Sequence, residues 1–175
     1  IKQKQQMIHL NIGSNLDSNY GSRYDNISIS IKLLVEAKIK VKKISNFYET
    51  PSYPNNNFPK FLNVGLIVEY KDKYLNLFKT IKQIEKKMGR IETKKNNPRV
   101  IDIDIIDFNG KIKKTKELIL PHPRCHLRNF VLFPILQLDP DWFHPVLMRN
   151  AQYLINNLSQ KSRIEITRLE KNVNI

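Results

Sequence analysis

Cysteine is almost missing from this chain: Cys125 stands alone among 175 residues. No internal disulfide framework can form, and a reducing compartment is the natural setting. Also missing is any apolar run near the ~20 residues that a membrane-spanning helix requires. Residues 1–6 are polar and basic, and the apolar stretch 7–12 is too short for a secretory signal. The expectation is a cytoplasmic protein without a membrane partner, and Ile1 in place of Met hints at a trimmed start. Repeats and long linkers are absent too, which leaves one domain over 1–175, with 1–6 and about 168–175 as candidate loose ends.

Acids are scarce. Sixteen Asp and Glu face thirty Lys and Arg, for a formal charge of +14. Such a field attracts anions: nucleic acid, an acidic membrane surface or a phosphorylated small molecule. The cations are mostly Lys, spread among Ile and Asn without a dense arm or tail, which fits a solvated basic surface better than a nucleic-acid grip. Hydrophobic residues make up 41% and charged residues 26%, ordinary values for a chain that folds around a core.

The apolar spacing predicts a strand at 7–12 broken at Gly13, then an amphipathic helix over 24–37 carried by Ile27, Ile31, Leu34 and Val35. A strand is expected over 41–49 and a Pro- and Asn-rich loop over 50–60. Strand alternation over 61–70 puts Leu62, Val64, Leu66 and Val68 on one face and Phe61, Asn63 and Ile67 on the other. Leu75, Phe78, Ile81, Ile84 and Met88 mark a second helix capped by Gly89. A basic loop over 90–98 leads to a strand over 100–108, and Asn109-Gly110 signals a hairpin. Helices are expected over about 127–137 and 148–158, with a short strand around 164–167. This order implies an α+β sandwich with a mainly antiparallel sheet and helices packed on it, a ferredoxin-like arrangement.

The sharpest chemical feature is Asp102-Ile103-Asp104. Residues two apart on a strand share a face, so the two carboxylates lie side by side and repel unless cations compensate them. Hard divalent ions with phosphate oxygens would do so; a solvated strand face with incidental acids is the plain alternative. Asp107, three residues on, is expected on the opposite face as a surface residue. Arg90 and Arg99 bracket the basic loop, and guanidinium groups bind phosphate bidentately. A second cluster packs His122, Arg124, Cys125, His126, Arg128 and Phe130 beside a proline-constrained turn. Its two His and one Cys lack the remaining zinc ligand at usual spacing, so anion binding fits better, with Cys125 and His126 structural. The Gly13-Ser14-Asn15 turn lacks the Gly-Lys-Ser/Thr ending of a P-loop.

In order along the chain, Ile12-Gly13-Ser14-Asn15-Leu16, Phe47-Tyr48-Glu49-Thr50-Pro51, Phe61-Leu62-Asn63, Ile84-Glu85, Gly89-Arg90, Pro98-Arg99, Asp102-Ile103-Asp104, Pro121-His122-Pro123-Arg124, Arg128 and Phe130-Val131-Leu132 resemble the 6-hydroxymethyl-7,8-dihydropterin pyrophosphokinases of folate biosynthesis over about 7–140. The resemblance implies transfer of pyrophosphate from ATP to the hydroxymethyl group of the pterin, with release of AMP. It implies two Mg²⁺ ions on Asp102 and Asp104, with Arg90 and Arg99 beside them in catalysis. ATP would contact Glu85, Arg90, Arg99, Ile105, His122 and Arg128. The pterin would meet Thr50, Pro51, Asn63 and Asp102, stacked between Phe61 and Phe130, although both Phe would serve equally as core aromatics. Lys82 stands where the family often has glutamine. A monomer acting on small molecules is expected, with no nucleic-acid partner. A basic nucleic-acid-binding module and a two-metal nuclease or nucleotidyltransferase are the competing readings.

Overall fold

The computed structural model describes residues 7–90 and 97–175; the expectations for 1–6 and for most of the 90–98 loop lie outside the described residues. The chain runs β1 (Ile8–Ser14), α1 (Arg23–Glu36), β2 (Lys40–Ile44), β3 (Tyr48–Thr50), β4 (Phe61–Glu69), α2 (Tyr74–Lys87) and β5 (Asp102–Phe108). There follow β6 (Lys113–Lys114), β7 (Ile119–Leu120), a 3-10 turn (Cys125–Leu127), α3 (Asn129–Leu138), α4 (Ala151–Asn156), α5 (Gln160–Ile164) and β8 (Thr167–Arg168). The main sheet is ordered β5-β1-β4-β3-β8, with β2 also on β4, and its pairs are antiparallel. With β2 and β3 taken as one interrupted strand, this is the ferredoxin-like α+β sandwich that the pattern implies.

One face of the sheet is dry. Ile8, Leu10 and Ile12 of β1, Leu62 through Val68 at alternate positions of β4, and Ile103 and Ile105 of β5 meet Ile27, Ile31 and Leu34 of α1 and Leu77, Ile81 and Ile84 of α2. Each such side chain, fully buried, contributes about 1.5–3 kcal/mol. The two helices end as their residues dictate. Ser22 and Asp25 form a capping box at the start of α1, and Gly89 takes φ +85 just past α2, where only glycine turns without strain. The opposite face is half covered. α3 lies on β4, so close that a Cβ on Gly65 would come 2.7 Å from Pro134, and α4 packs behind it through Leu154 and Ile155. The uncovered half, in front of the first turn of α3, is where polar side chains gather.

Several expectations shift. β1 does not break at Gly13 but runs on to Ser14, because Gly13 pairs with both Asn63 and Asp102. The single strand expected over 41–49 divides at Ser45, whose backbone N–H and hydroxyl are both engaged with Gly65 of β4. Asn109 and Gly110 do turn left-handed, with φ 54 and φ 73, but the strand after them pairs with β7 rather than β5, so no β5 hairpin forms. The helix expected over 148–158 is α4, and an unexpected short helix, α5, follows it; each is begun by its own polar cap, Asn150 and Ser159.

Asp107 is the clearest correction. It is 4% exposed, not a surface residue. A bulge shifts the β1–β5 register, so Asp102, Asp104 and Asp107 oppose Gly13, Asn11 and His9. The extra residue puts Asp107 on the same face as the acid pair instead of the opposite one. There it accepts from the Trp142 indole at 2.9 Å and the Gly110 amide at 2.9 Å. It is an anchor.

Candidate active site

β5, β1 and β4 bring Asp102 and Asp104, Asn11 and Gly13, and Phe61 and Asn63 onto one face in adjacent rows. Together with Thr50 and Pro51 at the end of β3, Arg99, and Arg128 and Phe130 at the start of α3, they line a cleft of ≈ 340 Å³, ample for a small planar heterocycle. The cleft therefore gathers the acid pair, three arginines (Arg99, Arg124 and Arg128) and all five residues assigned by resemblance to the pterin besides Asp102.

Charge in the cleft is arranged around the acids. Arg99 reaches Asp102 at 3.0 Å and Arg90 reaches its other oxygen at 3.1 Å. Arg128 stands 3.6 Å from Asp104 and His122 Nε2 3.9 Å from it. Burial, reinforced by the Asp102 charge beside it, pushes the Asp104 carboxyl up to about 6 against the pull of Arg128. His122 goes the other way: burial, with Arg128 and Arg124 nearby, lowers it to about 4. Its Nδ1 accepts the Arg124 amide at 3.1 Å, so a neutral imidazole turns Nε2–H toward Asp104 from beyond hydrogen-bond reach and adds no charge. Such a set, two hard carboxylates among four cationic or N–H donors, fits divalent ions together with a polyphosphate.

Two assignments made from the sequence take a different place. Glu85 is 1% exposed and already engaged: it accepts the Ile103 amide at 3.0 Å and Lys82 at 2.9 Å, and lies 3.6 Å from Arg90. It braces β5 and Arg90 from behind the site, and Lys82 supplies its counter-charge. Ile105 is packed in the core beneath the sheet, so its side chain does not face the cleft. Sequence reasoning also missed residues that do. Asn11 sits on the wet face of β1, between the apolar Leu10 and Ile12, and donates to the Phe130 carbonyl at 2.8 Å; its alternation with buried neighbours was a usable signal. Arg124, already placed in the anion-binding cluster, lines the cleft as well, as do Tyr53, Ser162 and Glu165. The last two sit in a polar tail with no pattern that would reveal them.

The ligand-type cluster around Cys125 grows by one. His144 brings a third potential ligand within 4.8 Å of Cys125 and His126, a residue the spacing could not supply. Its Nδ1, however, accepts the Val146 and Leu147 amides at 3.2 and 3.0 Å, which leaves Nε2 protonated and without a lone pair to give. Burial pushes the Cys125 thiol up to about 12, so it stays a neutral, structural thiol.

The model of the 7,8-dihydro-6-hydroxymethylpterin-pyrophosphokinase family matches residues 9–140. This chain belongs to that family. Among similar pyrophosphokinases, the 2-amino-4-hydroxy-6-hydroxymethyldihydropteridine pyrophosphokinase of Aquifex aeolicus is 37% identical over 131 residues, 75% of this chain and 81% of that protein. The folic acid synthesis protein FOL1 of Dictyostelium discoideum is 42% identical over 158 residues, 90% of this chain and 23% of that protein. The chain thus spans about a quarter of the length of the longer relative that it matches. A Plasmodium falciparum HPPK-DHPS triple mutant superposes with a TM-score of 0.72 at 17% identity, covering 95% of this chain and 45% of that one. That likeness establishes the pyrophosphokinase fold. Among the described residues no helix is long and apolar enough to cross a membrane.

Proposed function

We propose that this chain transfers pyrophosphate from Mg-ATP to the hydroxymethyl group of 6-hydroxymethyl-7,8-dihydropterin and releases AMP. The observation that carries the reading is the acid pair itself. Asp102 and Asp104 share one strand face at the end of a cleft whose middle holds Phe61 and Phe130. Asp102 and Asp104 are the residues that would hold two Mg²⁺ ions. Those ions, when bound, neutralise phosphate charge and lower the pKa of an attacking hydroxyl.

The chain's own residues do the rest by position and charge, which is most of what phosphoryl-type transfer asks of a protein. Arg90 and Arg99 hold Asp102 through its two oxygens. A triphosphate entering with its cations gives both guanidiniums a better anion, so they turn from the acid to the phosphates. Arg128, with its guanidinium 5.4 Å from the Phe130 ring centre, is held between the phosphate end and the ring end of the cleft. Phe61 and Phe130 stack on the two faces of the heterocycle, and Asn63, Thr50 and Pro51 receive its polar edge. The segment around 50–60 closes over the substrates and keeps water from competing as nucleophile. A monomer in the cytoplasm, free of nucleic acid, is the form in which we expect it to work.

The deciding experiment incubates the protein with ATP and Mg²⁺, with and without the hydroxymethyl dihydropterin, and follows AMP. The expected result is AMP formed only when the pterin is present. AMP at the same rate without it, or none with it, would sink the proposal.

A further inference from the structure

α3 has a proline in its interior, Pro134. A proline carries no N–H, and its ring crowds the carbonyl four residues back. In α3 that carbonyl belongs to Phe130, so the donor that a regular helix would give it is missing. Asn11 of β1 supplies one instead. Its Nδ2 donates to the Phe130 carbonyl at 2.8 Å.

The sheet explains why the replacement comes from β1. Asn11 stands in one row with Asp104 of β5 on one side and Gly65 of β4 on the other, each about 5 Å away. Pro134 is seated on Gly65, where a Cβ would come 2.7 Å from it. That close contact brings the preceding turn of α3 down over the neighbouring strand, and there the freed carbonyl meets Asn11. The Phe130 amide is held as well, donating to the Asn129 carboxamide oxygen at 2.7 Å, while Asn129 Nδ2 donates to the Ser162 carbonyl at 2.7 Å. Among the described residues, only the bond from Asn11 ties the first turn of α3 to a strand of the sheet.

This tie joins the two ends of the cleft. Phe130 grips the heterocycle, and Asp104 belongs to the pair that gathers the phosphates. The hydroxymethyl oxygen and the β-phosphorus must come within about 3–3.5 Å of each other and in line, and an error of about 1 Å costs on the order of 100-fold in rate. We infer that Asn11 is a positioning residue: by standing in for the N–H that Pro134 lacks, it locks Phe130 to the row of Asp104 and so fixes the distance between the stacked ring and the phosphates. This rests on the pyrophosphokinase reading above. The role runs through Phe130 and needs no contact between Asn11 and either substrate.

A carbonyl that merely wanted a donor would be satisfied by one from its own helix, and Pro134→Ala returns that donor. The test is therefore a cycle on the full chain: wild type, Asn11→Ala, Pro134→Ala and the double variant, each followed by urea unfolding without ligands and by steady-state AMP release. Asn11→Ala should unfold at lower urea, and the same substitution made on Pro134→Ala should lose at most half as much. Turnover should not recover with stability. We expect kcat to fall about 10-fold in Asn11→Ala and in the double variant alike, with KM for ATP and for the dihydropterin within about three-fold of wild type, and Pro134→Ala alone within about three-fold in kcat. A wild-type kcat in Asn11→Ala, or turnover restored along with stability in the double variant, would overturn the inference. If Asn11→Ala does not fold, the double variant decides, because its helix satisfies Phe130 unaided. Wild type that releases no AMP in the presence of the pterin is a failure of the activity itself; an active wild type with an indifferent Asn11 is a failure of the positioning role alone.

Discussion

Gly13 lies against Asn63 so closely that a methyl group on its α-carbon would come 2.6 Å from the Asn63 carboxamide oxygen. The glycine has no left-handed φ to excuse it; what the site needs there is the missing side chain. Gly13→Ala should push Asn63 out of its place between Phe61 and Asp102. We expect dihydropterin affinity to fall about 10-fold, the cost of one misplaced hydrogen-bonding group, with affinity for an ATP analogue within two-fold of wild type. Calorimetric titration of both ligands checks this; equal losses for the two would show a collapse of the whole cleft instead.

Asp104 is held against its own charge. Its folded pKa, about 6, lies above its ordinary value of 3.8, so the fold favours the proton. The stabilisation this gives is complete below about pH 4 and is lost as pH rises through 6. Asp104→Asn, which removes the charge and keeps the shape, should therefore abolish turnover while raising the melting temperature of the ligand-free protein at pH 7. An increase of about 2–4 °C, equivalent to ~1 kcal/mol in a chain this size, is expected, shrinking toward zero at pH 4. A variant that melts lower than wild type at pH 7 would contradict this account.

The same shift sets the acid limb of activity. A protonated Asp104 cannot serve a cation, so turnover should fall as pH drops through about 6 when Mg²⁺ is limiting. Saturating Mg²⁺ competes with the proton and should move that midpoint lower. Rate profiles at two Mg²⁺ concentrations are the measurement; a midpoint indifferent to the ion would remove Asp104 from its binding.

Glu85 should matter for a different reason. Glu85→Ala leaves the buried Ile103 amide without an acceptor and releases Arg90. Loss of ~2–3 kcal/mol is expected from the unsatisfied amide and the broken charged contacts, seen as a shifted midpoint in urea unfolding. Because Arg90 also loses its brace, the affinity for ATP should drop about 10-fold. Wild-type stability in the variant would mean that a water or Lys82 alone suffices behind β5.

How much of this was legible beforehand depended on the period of the pattern. Alternation in β4 and helical spacing in α1 and α2 carried the sandwich, because one buried face leaves a regular mark on a sequence. The acid pair was legible for the same reason: two residues apart on a strand is a geometric statement. Asp107 was misread where that regularity fails, since a bulge leaves no trace in composition. Glu85 read as a ligand because its type and position suit one, while the backbone amide it serves comes from a strand eighteen positions away. The α5 turn left no mark because a five-residue helix capped by Ser159 buries no side chain and so imposes no periodicity.

The bulge in β5 has an effect on how the strand divides its labour. One surplus residue slips the side-chain phase by half a period, so a third acid that would have plunged into the oily layer beside Ile103 and Ile105 instead reaches Trp142. Upstream of that slip the strand serves chemistry; downstream it serves as a rivet for the 139–150 segment. Were the strand to keep Ile106 but pair without the bulge, the anchoring carboxylate would become a charge stranded among aliphatic side chains.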